Sequence, residues 1–373
     1  MGARAGDAIT TGASNTIIGQ AAGSVGSNMD DNVLVGLTAG YNGNSVHFNK
    51  NVALGNRSMY NIVDAKESVA IGYEALYTDC GDENVAVGHK CGKYNTSIRF
   101  VAYGPYAGLS NQSWPNMFMG YNAAGGGTIT GSYNTAVGYE AAYALTTGSE
   151  NTAFGDNALK DITTGAKNTA IGRNALDDLT TGNFNTAVGW NSMSNGTVTG
   201  TENCAVGQET LRDTTTGSLN TAIGRSAGEQ ITTGQNNSFI GRNAGRSGSP
   251  GGQITTGSNN NAYGYQALDS ITTADGNSAF GHTACQAVTS GTYNTGIGYA
   301  AKTGSTGDYN ISIGANAGSN NMSRDDNISI GQNAGSSITN GEYNILIGEG
   351  AGQNITTADH SIGIGRHTLG YNG

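Results

Sequence analysis

A short run in which apolar residues alternate with a small residue and end at a glycine recurs along the chain. It reads Asn-x-Ala-(Val or Ile)-Gly, and representative copies begin at Asn15, Asn32, Asn168 and Asn344. Counted from its first position, the pattern occurs 21 times, and 12 of the 20 intervals between copies are 17 residues long. A fixed period of this kind predicts a repeat protein in which each copy is one structural unit.

Each position of the unit carries a recurrent residue type. The first is Asn in 18 of the 21 copies, the fourth is apolar or aromatic in all of them, and the fifth is always Gly. A small residue follows three positions later, and many units close with Ile-Thr-Thr-Gly. Alternation with a period of two predicts a strand of three or four residues. The following Gly permits a tight corner at positive φ, and the Thr-Thr-Gly stretch is predicted to form a second glycine corner.

A unit of this size cannot bury an apolar face alone, whereas stacked units can. Rungs about 4.8 Å apart pair their backbones, and identical residues then form ladders. We therefore predict an all-β fold, a parallel β-solenoid (β-roll) of 21 stacked rungs that occupies residues 1–373 as a single array. In one rung, Asn168 is expected to form an amide ladder, Ile171 and Ala175 a thin dry core, and Gly172 the corner.

Some strands are apolar at three successive positions, as in Val33-Leu34-Val35 and Ile345-Leu346-Ile347. Successive strand residues point to opposite faces, so these side chains cannot all enter one small core. Tolerated surface apolarity is one interpretation. We favour a second buried face at a subunit interface, which requires an oligomer around a common axis.

Composition narrows the function classes. Gly supplies 61 of the 373 residues, charged residues only 12%, and the net charge is −10. Nucleic acids and anionic membranes attract basic patches, so we expect neither as a partner. No apolar run reaches the roughly 18 residues of a membrane span, and no membrane insertion is expected. We interpret Cys80, Cys91, Cys204 and Cys285 as small buried hydrophobes.

Enzyme chemistry has no support in the sequence. The five histidines are scattered, and no Ser-His-Asp or paired-carboxylate arrangement recurs at a fixed position of the rung. Gly-rich stretches lack the lysine of a phosphate-binding loop, and the calcium-binding nonapeptide of some solenoids is absent. We therefore predict no catalytic site, no cofactor and no metal.

Specificity in a repeat protein is expected where the pattern is interrupted. Irregular rungs lie near residues 37–50, 100–133 and 245–256, and they contain Tyr41, Phe48, Trp114 and Arg246. These are either tolerated loops with local packing or exposed contacts for carbohydrate or protein. The position after the corner Gly is also often aromatic, at Tyr73, Tyr121, Tyr139, Trp190 and Tyr265. It predicts an outward stripe that either covers the corners or forms a contact surface.

The Asn-x-Ala-(Val or Ile)-Gly-x-x-Ala unit resembles the repeat of trimeric autotransporter adhesin heads. Its 17-residue form with Thr-Thr-Gly also resembles repeats of bacteriophage and algal-virus tail fibres. The resemblance covers essentially the whole chain and implies a left-handed β-roll packed as a homotrimer. It further implies an extracellular appendage of a cell surface or virion. For such an appendage we expect a glycan or protein receptor on the host surface, contacted by the exposed residues named above, and end-to-end fibre partners.

Two features of those families, a coiled-coil stalk with a membrane anchor and a terminal chaperone, are not found in this sequence. The repeat begins and stops within a rung, at Gly2 and Gly373. We therefore expect either a segment of a longer fibre or a polymerising unit whose open ends meet.

The function predicted from the sequence is that of a structural component of an extracellular trimeric fibre or adhesin. The alternative is an ice-binding solenoid, because pairs such as Thr163-Thr164 and Thr180-Thr181 can stack into a Thr-rich face. That alternative is weaker, because the pairs are interrupted in many rungs and lie at a glycine turn instead of on a flat strand.

Overall fold

The computed structural model describes residues 2–24, 28–41, 48–247, 256–304, 306–318 and 323–370. The chain divides into two compact units, Met1–Phe184 and Asn185–Gly373. Each consists of short parallel strands joined by turns, and the described residues contain no helix. The predicted all-β fold, a parallel β-solenoid with rungs of about 17 residues, is therefore confirmed. The single array over residues 1–373 stays a prediction.

The first unit contains the strands β1 Thr16–Ile18, β2 Val33–Val35, β3 Phe48–Asn49, β4 Val52–Leu54, β5 Ala65–Lys66, β6 Val69–Ile71, β7 Val85–Val87, β8 Val101–Tyr103, β9 Ser110–Asn111, β10 Met117–Met119, β11 Thr128–Ile129, β12 Thr135–Val137, β13 Thr152–Phe154 and β14 Thr169–Ile171. The ten three-residue strands pair in chain order, parallel and in register. The two-residue strands form two small parallel pairs, β3 with β5 and β9 with β11.

The second unit contains the strands β15 Thr186–Val188, β16 Cys204–Val206, β17 Thr221–Ile223, β18 Ser238–Ile240, β19 Asn261–Tyr263, β20 Ser278–Phe280, β21 Thr295–Ile297, β22 Ile311–Ile313, β23 Ile328–Ile330, β24 Ile345–Ile347 and β25 Ile362–Ile364. They too pair in chain order, parallel and in register. In both units each three-residue strand follows the first position of one copy of the sequence repeat.

The pleat of each strand decides which side chains enter the core. Counting the Asn as position one, position three points inward and is fully buried, as at Ala170. Positions eight, nine and twelve complete the core, and Ala175 at position eight is buried as predicted. The prediction that Ile171 enters the core is wrong. Position four lies on the opposite side of the strand from position three, and Ile171 is 41% exposed.

Of positions three and nine in a rung, at most one carries a large inward side chain. Where one of these positions is large, the other is small. The rung of Asn168 combines Ala170 with Leu176, and both are fully buried. The rung of Asn344 combines Leu346 with Gly352, where an added Cβ would overlap the Leu346 side chain. The same exchange places Phe239 beside Gly245. The expected narrow rung therefore accepts a large inward residue at position three, provided that position nine is small.

The two glycines of the repeat serve different purposes. Gly155, at position five, has a φ of +139°, and a Cβ there would stand 2.6 Å from the carbonyl oxygen of Gly172. Gly165, in Thr-Thr-Gly, lies outside the left-handed region, but a Cβ would stand 2.5 Å from the Gly182 oxygen. The chain bends at Thr163 and Thr164, so the predicted second corner is present, but the prediction that its glycine supplies a positive φ is wrong. Close stacking excludes a side chain at Gly165, and the left-handed residue of this corner is Lys167, with φ +60°.

Buried Asn side chains link successive rungs, as predicted. The Asn151 Oδ1 accepts the backbone N–H of Asn168 at 3.0 Å and its Nδ2 at 3.1 Å. The Asn168 Nδ2 also donates to the Gly182 carbonyl at 2.9 Å. Each amide therefore satisfies both a strand N–H and a turn carbonyl that would be costly to bury unpaired.

Candidate interaction surface

Every rung turns one row of side chains outward. The row consists of position seventeen, immediately before the Asn, positions two and four of the strand, and position six after the corner Gly. In the rung of Asn151, these are Glu150, Thr152, Phe154 and Asp156, all exposed, whereas Asn151 itself is buried. We call the surface formed by positions two and four the outer strand face.

The outer strand face carries no charge. None of the 21 copies has Asp, Glu, Lys or Arg at position two or four, and position four is apolar or aromatic in every copy. These side chains remain accessible, since Phe154 is 57% and Ile223 is 40% exposed. A contiguous apolar surface depleted of charge is typical of the core of a protein–protein interface.

The apolar character of this face is densest in the second unit. Strands β22 to β25 place isoleucine at both outward positions: Ile311, Ile313, Ile328, Ile330, Ile345, Ile347, Ile362 and Ile364. At β25 both outward side chains are about two-thirds exposed. From β12 to β15, by contrast, position two is Thr. The face thus contains a polar segment as well as doubly apolar ones.

Position six forms the predicted aromatic stripe. In the first unit, stacked rings connect Tyr73 to His89 at 5.3 Å, and Tyr121 to Tyr139 at 5.5 Å. Tyr106, at position seven of its rung, lies between the two pairs and contacts His89 and Tyr121 edge-on. Aromatic pairs at these separations stabilise one another beyond the area that they bury. The five residues predicted for the stripe all lie outward and exposed: Tyr73, Tyr121, Tyr139, Trp190 and Tyr265. A contact role for them stays a prediction.

The residues chosen from the irregular rungs have separate environments. Tyr41 stacks on Tyr60 at 5.1 Å. Trp114 is exposed, with the Arg99 guanidinium 5.8 Å from its ring. Phe48 is buried, so the prediction that it contributes to an exposed contact is wrong. Its ring lies beside Gly40, where an added Cβ would stand 3.4 Å from it and 3.0 Å from the Cδ1 of Leu34.

Arg246 belongs to an ion pair between rungs. Its Nε lies 3.1 Å from the Asp269 Oδ1, and Asp269 is buried. The guanidinium is therefore partly neutralised, which reduces its capacity to bind an external anion. Residues 42–47 of the irregular rung predicted near 37–50, and residues 248–255 of the one predicted near 245–256, lie outside the described residues.

Position seventeen supplies exposed aromatic residues that the sequence analysis missed. They are Tyr133, Phe184, Tyr293, Tyr309 and Tyr343, each with a positive φ between +56° and +61°. Bulky residues are uncommon in that backbone region. Their recurrence immediately before the Asn of the repeat was a signal available in the sequence.

The cysteines do not behave alike. Cys80, Cys91 and Cys285 are buried as predicted, and burial raises the pKa of the first two thiols to about 12 and of the third to about 11. Cys204 is only half-buried, which corrects its prediction, because it occupies position two of the outer strand face. No group of three or more His, Cys, Asp or Glu side chains within the described ranges is arranged to hold a metal ion.

Comparison with protein-family models, curated proteins and solved structures finds no match to this chain. Among the described residues there is no helix long and apolar enough to cross a membrane.

The Thr pairs of the turn have a structural use. The hydroxyl of Thr146 donates to the Thr163 carbonyl at 2.9 Å, and that of Thr163 donates to the Thr180 carbonyl at 3.1 Å. The first Thr of each pair thus binds the backbone of the next rung. These hydroxyls are therefore engaged within the stack, whereas the second Thr of each pair, as at Thr164 and Thr181, is exposed. The ice-binding alternative stays a prediction.

Proposed function

We propose that this protein is a structural component of an extracellular trimeric fibre or adhesin, in which the outer strand faces of three copies pack together. The observation that carries the proposal is the charge-free outer strand face, which is apolar at position four in all 21 copies. A monomer in water gains nothing from such a surface, whereas association removes it from solvent.

A second copy of the same chain matches this surface best. The apolar side chains repeat with the rung spacing of about 4.8 Å, and a parallel copy presents the same spacing over the same length. Burial of about 40–60 Å² per rung and chain contributes about 1 kcal/mol. Summed over a unit, that gain can exceed the cost of association.

The number of copies and the location are inferred from the resemblance. Adhesin heads and tail fibres with this repeat are threefold and lie outside the cell, and the Asn, Gly and Ala ladders they imply are present here. Their rigid rungs make the chain suitable as a shaft or head. Attachment to a host surface would then depend on exposed residues beside the interface.

The oligomeric state tests the proposal. Mass photometry of the wild-type chain is expected to give a particle of three times 37.9 kDa. Ile328→Glu places a charge on the outer strand face and should shift the population to monomers. Gln353→Glu is the matched control, because it adds the same charge at an exposed site outside that face. A monomeric wild type would refute self-association, and a stable dimer would refute the threefold arrangement.

Cys204 identifies which face is shared. It is the one thiol of the four that lies on the outer strand face. A three-armed maleimide reagent should link three chains through Cys204, and Cys204→Ser should abolish that product. If trimers form but Cys204 cannot be linked across chains, the copies meet through another surface.

A further inference from the structure

A column of exposed cationic and aromatic side chains runs along position six of the second unit. It consists of Arg225, Arg242, Tyr265, His282 and Tyr299, and we call it the Arg–Tyr column. Backbone hydrogen bonds of 2.8–3.0 Å join the five rungs in this order, each accepted by the carbonyl of a column residue. The side chains therefore project side by side over about 20 Å, four rung spacings.

The two guanidinium groups at one end of the column lack carboxylate partners. In the described residues, Arg225 and Arg242 form no ion pair, whereas Arg212 of the same unit lies 2.6 Å from the Glu229 carboxylate. Position six contains no Asp or Glu in seven consecutive rungs, from Trp190 to Tyr299. An uncompensated pair of arginines is unusual in a chain of 27 acidic and 17 basic residues. Guanidinium groups bind carboxylates and sulfates through paired hydrogen bonds.

The rings of the column offer their edges and not their faces. The Arg242 guanidinium lies 5.8 Å from the centre of the Tyr265 ring. Tyr265 and His282 lie 4.9 Å apart, and His282 and Tyr299 lie 5.3 Å apart, stacked along the column. Between Arg242 and Tyr299 each ring face is covered by the neighbouring group of the column, which leaves a base no place to stack there and disfavours nucleic acid. The outward edges carry phenol hydroxyls and imidazole nitrogens, which hydrogen-bond to hydroxyl-rich ligands.

We propose that the Arg–Tyr column binds an acidic polysaccharide. Its carboxylate or sulfate groups lie on Arg225 and Arg242, and its sugar hydroxyls contact the edges of Tyr265, His282 and Tyr299. A linear polymer fits because the five side chains follow one another in successive rungs over about 20 Å, the length of several sugar units. This inference rests on the extracellular placement proposed above, since such polymers are found mainly outside cells.

Binding of the full-length chain to immobilised polymers tests the proposal. The probes are heparin for sulfate, polygalacturonate for carboxylate, dextran as the neutral polymer and a 20-nucleotide oligothymidine. We expect heparin or polygalacturonate to bind, and the relative affinity of these two identifies the anionic group. The double variant Arg225→Gln/Arg242→Gln should lose at least about tenfold in affinity through its missing charge-assisted hydrogen bonds. Arg173→Gln, at position six of the first unit, is the matched control and should bind like the wild type.

Three results would overturn the assignment: equal binding of dextran, oligothymidine binding as tight as that of the acidic polymers, or an unchanged affinity of the double variant. Mass photometry of the same samples separates this result from the fibre proposal. A trimer that binds no acidic polymer refutes only the Arg–Tyr column, and a monomer refutes the proposed assembly whether or not the polymer binds.

Discussion

Positions three and nine of one rung share the same core space. Substitutions at these two positions should therefore have strongly non-additive effects on the free energy of unfolding. Leu346 is fully buried, and a Cβ at Gly352 would overlap its side chain. The next rung uses the opposite arrangement, because a Cβ at Gly363 would stand 3.0 Å from the Cδ1 of Leu369. Changing Leu346 to a small residue and Gly352 to a large one should therefore move the large side chain of the Asn344 rung from position three to position nine.

The expected magnitudes follow from the volumes involved. Leu346→Ala leaves a cavity and should cost about 2–5 kcal/mol. Gly352→Leu overfills the rung and should cost about 1–3 kcal/mol. Independent effects would sum to about 3–8 kcal/mol in the double variant. Because Ala170 with Leu176 is a native rung of the converted type, we expect a cost below about 2 kcal/mol. Leu176 has a φ of +52°, so position nine tolerates leucine in the left-handed region.

Amide hydrogen exchange at β23, β24 and β25 is the suitable assay, because a solenoid can open locally without unfolding as a whole. Protection should fall in each single variant and largely return in the double variant. Gly335→Leu combined with Leu346→Ala is the control. A Cβ at Gly335 would meet Ser329 and Ile338, not Leu346. Additive losses in the Leu346→Ala/Gly352→Leu variant would refute the exchange.

Three further substitutions test the rung. Ala170→Leu, with Leu176 still in place, should overpack the core and cost about 1–3 kcal/mol in denaturant unfolding, whereas a neutral result would show that the rung can expand. Gly165→Ala should lower the melting temperature, because the new Cβ would stand 2.5 Å from the Gly182 carbonyl oxygen and neither backbone can yield cheaply. Burial, and secondarily a neighbouring carboxylate, raises the pKa of Asp177 to about 7. The folded state then retains a proton that the unfolded state loses near pH 4, so stability falls as the pH rises from about 4 to 7. Asp177→Asn should therefore stabilise the chain at pH 8 by about 1 kcal/mol, after allowance for partial exposure, and have no effect near pH 4; equal stability at pH 8 would contradict it.

The sequence was sufficient to predict the parallel stack and its Asn ladder, because both follow from residue types at a fixed period. It failed at Ile171, since a hydrophobic residue in a three-residue strand has no marker of which face is the core. The residue that decides the orientation of this strand is Ala170, because its small side chain fits a rung whose core is already filled by Leu176. Ile171, the next residue, then points outward. Phe48 failed for a related reason, because an aromatic residue in an irregular rung has no marker that distinguishes a buried position from an exposed one, and Phe48 is 1% exposed.

The interior of this solenoid limits what its surface can become. Positions three and nine of a rung together admit about one large inward side chain, and stacking excludes any side chain at Gly155 or Gly165. The residue type can therefore vary freely only at the outward positions. Each outward position nevertheless accepts its own set of residue types. Position six accepts Arg, Tyr, Trp or Asp, whereas position four never accepts a charge in any copy. Solvent alone imposes no such difference between two exposed positions of the same rung. Position four lies in a strand, where β-branched and aromatic side chains are favoured over charged ones, and position six lies in a corner, where they are not. The proposed trimer adds a second reason for the same difference, because a partner that covers the strand and leaves the corner open would exclude charge from position four alone.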